Sequence, residues 1–135
     1  MTILDRRTDT ALLVLRLAVA TIFIAHGCQK LFVMGHEGVT GFFTQLGIPM
    51  PGINAWFISI LEFGGGLMLM AGIYTRILGL LFLGDMVVAI AVALFPRGFY
   101  QGYQLEFLLA AASLALALAG GGSLSLDIRL AARKA

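Results

Sequence analysis

The chain has 135 residues, 60% of them hydrophobic and 12% charged, with a formal net charge of +2 and a mean hydropathy of +0.98. Soluble domains hold roughly 45–50% apolar and about 25% charged residues, and a domain this small has too little interior to hide the excess. The composition excludes a water-soluble fold and a disordered chain and, with one cysteine, a disulfide-stapled secreted domain. What remains is a membrane protein. Its nine Lys and Arg residues form no basic stripe interleaved with aromatics, so the charge implies no nucleic-acid partner.

A membrane helix needs about 20 mostly apolar residues, and four stretches qualify, over residues 11–32, 54–73, 77–95 and 105–121. They predict an all-α membrane protein, a four-transmembrane-helix bundle forming a single membrane domain over 1–135. The first stretch is too long for a signal peptide, is interrupted by Arg16 and lacks a small-x-small cleavage site, so it reads as an uncleaved topology signal. The loop over 34–53 is too polar and too rich in glycine to span. Phe42, Phe43, Leu46 and Ile48 form one apolar edge of a short interfacial helix ending at Gly47, and Pro49-Met50-Pro51 turns the chain into the second span. Such a helix would lie as a lid over the end of the bundle. Small residues four apart (Ala111, Ala115 and Ala119, then Ala89 and Ala93), together with Gly64-Gly65-Gly66 in mid-span, predict close helix packing.

An even number of spans puts both termini on one side with the Tyr74-Thr75-Arg76 turn. Arg6, Arg7, Arg76, Arg129, Arg133 and Lys134 lie there, against Arg97 and Lys30 on the other side, so both termini are predicted to be cytoplasmic. Most of the 14 aromatic residues, including Phe32, Trp56, Phe57, Phe95, Phe99, Tyr100, Tyr103 and Phe107, gather at the non-cytoplasmic boundary. An anchoring girdle explains this, and so does a flat apolar slot for a ring-shaped ligand such as a quinone.

The informative residues are the ionisable ones within the spans: Arg16, His26 and Lys30 in the first, Glu62 in the second, Asp85 in the third and Glu106 in the fourth. An ion in hydrocarbon costs at least about 2.5–3.5 kcal/mol, so these groups must face inward and meet one another or water. Helical spacing puts Arg16, His26 and Lys30 on one face of the first helix. A rise of about 1.5 Å per residue gathers His26, Lys30, Glu62 and Glu106 in the non-cytoplasmic half, with Asp85 as the floor. Arg16 lies in the inner half, reaching Asp85 or snorkelling to the cytoplasm. Two cations face three carboxylates, so one proton balances the set. A proton-linked site and a structural polar knot are both consistent with that count. Ser59, three residues before Glu62, is placed to hydrogen-bond with it. With no second histidine in a span, His26 does not suit a bis-histidine haem, and no metal site is expected. Cys28 has no partner cysteine and reads as a packed thiol.

His26-Gly27-x-x-Lys30-Leu31-Phe32, Phe43-x-x-Leu46-Gly47-Ile48-Pro49, Glu62-x-Gly64-Gly65-Gly66-Leu67, Gly72-x-x-Thr75-Arg76 and Gly120-x-Gly122-x-x-Ser125-Leu126-Asp127 together resemble the DoxX family over nearly the whole chain. One departure is Leu124, which replaces an aromatic often found before Ser-Leu-Asp. The resemblance implies a four-helix protein of the bacterial inner membrane, associated with quinone-linked sulfur oxidation or with oxidative-stress and quinone-detoxification loci. It also implies that His26, Lys30, Glu62 and Glu106 are the family's typical polar positions, a set that leaves out Asp85 and Cys28. Residues and resemblance together point to a subunit of a membrane redox complex, its non-cytoplasmic polar cavity binding a quinone or a small anion, with no cofactor encoded by the chain. A scaffold recruiting soluble redox or stress proteins, a small transporter and self-association into a homo-oligomer stay open.

Overall fold

In the computed structural model, which describes residues 2–134, helix α1 (Ile3–Cys28) begins well ahead of the predicted apolar span. A capping box sets that start: the Thr2 hydroxyl accepts from the Asp5 amide at 3.2 Å, and the Thr2 amide donates to Asp5 Oδ2 at 2.7 Å. The helix runs on through a π-helical turn, Gln29–Met34, and breaks at Gly35 (φ 72°) into α2 (Gly35–Gln45). The second span comprises α3 (Pro51–Ile60), a π turn over Leu61–Gly65 and α4 (Gly66–Ala71). Helix α5 (Thr75–Ala89) leads through a third π turn, Ile90–Leu94, to a 3-10 turn at Phe95–Arg97. A fourth π turn, Phe99–Tyr103, opens α6 (Gln104–Ala119), and a short amphipathic α7 (Leu126–Lys134) closes the described chain. Among the described residues four helices are long and apolar enough to cross a membrane, as the composition required.

The helices pack as two pairs. Helix α1 lies against the π turn and α4 of the second span, while α5 lies along α6. Both crossings rest on glycine. A Cβ on Gly27 would stand 2.4 Å from the Phe63 backbone nitrogen, and one on Gly79 would stand 2.7 Å from the Ser113 carbonyl oxygen. Contact this close supplies the attraction between helices in lipid, where no hydrophobic driving force acts between them. The partners of Gly79 correct the predicted stripe. Ala110, Ser113 and Ala117 form the buried face of α6, whereas Ala111, Ala115 and Ala119 are exposed on the outside. The same spacing occurs in two phases along this alanine-rich helix, and only the packing distinguishes them.

The pairs meet in a core of Val19, Phe23, Leu69, Leu78, Phe82, Met86, Leu109 and Leu116. At its centre the rings of Phe23 and Phe82 stack with centroids 3.9 Å apart. A second, smaller core of Val39, Phe43 and Ala55 holds α2 on α3, flanked by a His36–Trp56 stack with centroids 4.5 Å apart. The predicted short helix is thus present as α2, with Val39 and Phe43 buried and Phe42 more exposed.

At the end carrying the termini, a polar lock joins the two pairs. The Asp127 carboxylate accepts from the amides of Tyr74 (2.7 Å) and Thr75 (2.9 Å), capping α5. Arg76 donates to the carbonyls of Ala117 (3.3 Å) and Leu118 (2.6 Å), capping the C-terminus of α6. Ser123 donates to Asp9 through both its amide and its hydroxyl, which holds the Asp9 carboxyl below the usual carboxylate range.

Candidate functional site

At the opposite end of the bundle the two helix pairs diverge around a cavity of about 640 Å³. Five of the six ionisable residues singled out from the sequence, His26, Lys30, Glu62, Asp85 and Glu106, line it, so every span contributes at least one. Lys30 Nζ donates to Glu62 Oε2 at 2.7 Å, tying the first span to the second. The Glu62 carboxylate is almost wholly buried, whereas the ammonium remains partly open to the cavity. Asp85, from α5, lies against Glu62, its carboxyl close enough for a hydrogen bond between the two when one carries a proton. Asp85 Oδ2 and Glu106 Oε2 are buried acceptors with no hydrogen-bond partner.

Both members of the ion pair sit on π turns, Lys30 within Gln29–Met34 and Glu62 within Leu61–Gly65. A π turn inserts one extra residue into the helix and re-aims the side chains it carries, and such turns concentrate at functional sites. Among the described residues there are four π turns, one in each span, three of them in this half and Leu61–Gly65 running from the cavity at Glu62 to the core at Gly65. Residues of α2 and the loop after it, Phe42, Phe43, Leu46 and Ile48, form one wall of the cavity, and the Phe23–Phe82 stack lies one turn below His26 and Asp85.

Arg16 stands apart. It reaches neither Asp85 nor the solvent, as expected from the sequence, but is 2% exposed and donates to the carbonyls of Gly121 (2.7 Å) and Leu124 (3.1 Å) at the termini end. The reason is local. The chain leaving α6 folds back over α1 and presents carbonyls that only a long, multiply donating cation can satisfy at this depth. Ser59 is buried, but Glu62 takes its short contact from Lys30 instead. Cys28 is half-buried outside the cavity wall. Gln29 and Asn54 also line the cavity and were not singled out. Gln29, between His26 and Lys30, carried a legible signal as another polar residue in an apolar run. Asn54 Nδ2 donates to the Pro49 carbonyl at 2.6 Å and so fixes the turn into the second span. Among the described residues no group of three or more His, Cys, Asp or Glu is arranged to hold a metal ion.

The fold and the cavity define a small integral membrane protein, a bundle of four spanning helices enclosing ionisable groups at one end. The model of the DoxX family matches residues 11–95, and the chain belongs to that family. It is 32% identical to "Putative oxidoreductase CatD" of Bacillus subtilis (strain 168), over 92% of this chain and 90% of that protein. It is 33% identical to "Inner membrane protein YphA" of Escherichia coli (strain K12), over 87% of this chain and 89% of the relative. Against "Inner membrane protein YqjF" of the same organism the identity is 30%, covering 88% and 91%. No solved structure matches the chain.

Proposed function

We propose that the cavity binds the ring of a quinone or its quinol and exchanges protons with it, in a multi-pass protein of the bacterial inner membrane whose termini are cytoplasmic. The observation that carries this reading is the pair of buried, unpartnered acceptors, Asp85 Oδ2 and Glu106 Oε2, beside the Lys30–Glu62 pair. A buried acceptor without a donor costs about 1–3 kcal/mol, and the O–H groups of a quinol relieve that cost. The two remaining N–H groups of Lys30 can meet the carbonyl of the oxidised ring. The one lysine of the wall is already paired with Glu62 and so offers a small anion little net positive charge, which favours the neutral ring over it.

His26, one turn from Lys30, is the histidine of the wall and the group suited to pass the proton onward. In this reading the chain supplies the ring site and the proton acceptors, and a partner protein of the membrane redox complex supplies the electron carrier. The names of the relatives, one "Putative oxidoreductase" and two "Inner membrane protein", agree with that assignment. So does the gathering of Arg6, Arg7, Arg76, Arg129, Arg133 and Lys134 at the termini end. The aromatic plug of Phe23 and Phe82 beneath the cavity weighs against a permeation path through the bundle.

The test is saturable binding of a short-tailed ubiquinone or menaquinone analogue to the purified protein. Lys30→Ala and Glu62→Gln are each expected to weaken it at least about tenfold, a loss of roughly 1.4 kcal/mol, beyond any change in thermal stability. No binding to the parent protein, with both variants merely less stable, would make the pair a structural tie and turn attention to a scaffold that recruits protein partners.

A further inference from the structure

The side of the cavity that faces the bilayer is open. Helices α4 and α5 pack at the turn that joins them, and Leu78 and Phe82 still reach Gly65. Beyond that level the second and third spans have no substantial backbone contact. Between them runs a cleft whose third-span wall is the stripe Leu81, Asp85 and Val88 on α5 and Val92 on the π turn after it, spaced at successive helical turns over about 16 Å. The apolar members of that stripe are exposed, as is Phe57 on the facing wall. Asp85 is its polar member, at the level where the cleft meets the Lys30–Glu62 pair. At the mouth, Gly84 has nothing within 4 Å of where a Cβ would stand. On the side away from this cleft the wall is closed by α2, which packs on α3 through Phe43 in the second core.

We propose that the ligand enters sideways from the bilayer, between the second and third spans, and is a membrane-dissolved quinone whose isoprenoid tail remains in this cleft. The inference rests on the ring-site reading above and goes beyond it by naming the tail-bearing class of quinone and its route. A polar inner end continuous with an apolar, lipid-facing groove is complementary to an amphiphile with a polar ring and a hydrocarbon tail. A water-soluble benzoquinone has no use for the groove. The apolar walls stabilise the tail by contact, and the empty space at Gly84 lets it pass without moving a helix.

The experiment uses the full chain in nanodiscs and two probes, the ubiquinone head group without a tail and the same head group with a decyl tail, applied to the parent protein and to Gly84→Phe. Comparing the two proteins at one membrane concentration cancels the partitioning of the tail into lipid. The expected result is that Gly84→Phe weakens the tailed probe at least tenfold and leaves the tail-less probe unchanged. A photoreactive group on the tail should label the parent protein between Leu81 and Val92, a readout independent of whether the variant folds. Equal binding of both probes by both proteins, or labelling on α2 or the outer face of α6, would overturn the lateral route while leaving the ring site standing. Failure of the parent protein to bind either probe would overturn both.

Discussion

A buried ion pair is weak evidence for stability, since taking two charges out of water costs about as much as their attraction returns. The pair formed by Lys30 and Glu62 is therefore better explained by what it does than by what it holds together. Lys30→Met leaves the buried Glu62 without its donor, at a cost of about 1–3 kcal/mol, visible as a lower unfolding temperature in detergent. The double variant Lys30→Met/Glu62→Leu removes both charges and is expected to recover most of that loss while binding no ring ligand. Recovery of stability together with binding would show that the pair is not part of the site. Arg16 provides the contrast. Its hydrogen bonds to Gly121 and Leu124 staple the chain after α6 to α1, and Arg16→Met leaves the buried Gly121 carbonyl without its donor, at a cost of about 1–3 kcal/mol, and removes the partly buried bond to Leu124. The expected outcome is a marked fall in unfolding temperature with ring binding intact at temperatures where the variant is folded. The membership of the cluster was legible because a charge in an apolar run must find a partner. The placement of Arg16 was not, because its partners are backbone carbonyls, which have no residue signature.

At the scale of the helices, hydropathy located all four spans but left their ends and their phase to the packing. The start of α1 lies outside the apolar run because a capping box needs only Thr2 and Asp5. The π turns left no mark in the sequence, since inserting one residue into a helix changes neither composition nor length detectably. Glycine was equally ambiguous, and two positions now separate its uses. Gly27 faces the Phe63 backbone at a distance no Cβ can occupy, whereas Gly84 faces open space. Gly27→Ala should therefore force the first and second spans apart and cost about 1–3 kcal/mol. Gly84→Ala should be neutral or stabilising by up to about 1 kcal/mol, because alanine orders less chain entropy in a helix. Thermal unfolding of the two variants side by side checks this, and equal effects would mean that the crossing at Gly27 is not the tight contact described.

For the molecule as a whole, the two ends are built on different principles. The termini end has the aromatic core, the tight crossing at Gly79 and the Asp127, Arg76 and Arg16 hydrogen bonds between separate segments. The cavity end has a π turn in each of the four spans and helix pairs that diverge around the cavity. Local opening follows the density of buried contacts and satisfied backbone bonds, so a rigid base and a compliant mouth are expected. Amide hydrogen exchange in nanodiscs should show faster exchange over residues 29–34, 61–65 and 90–103 than over 19–23, 78–82 and 109–117. A bound quinone analogue should slow the first group selectively, because a ligand protects the region whose opening would release it. Uniform protection without ligand would mean that the π turns are as rigid as the helices they interrupt. The same asymmetry gives a physical reason for placing the ring site at this end: a lipid-soluble ligand needs a gap that opens without disturbing the lock between the helix pairs, and that lock is at the other end.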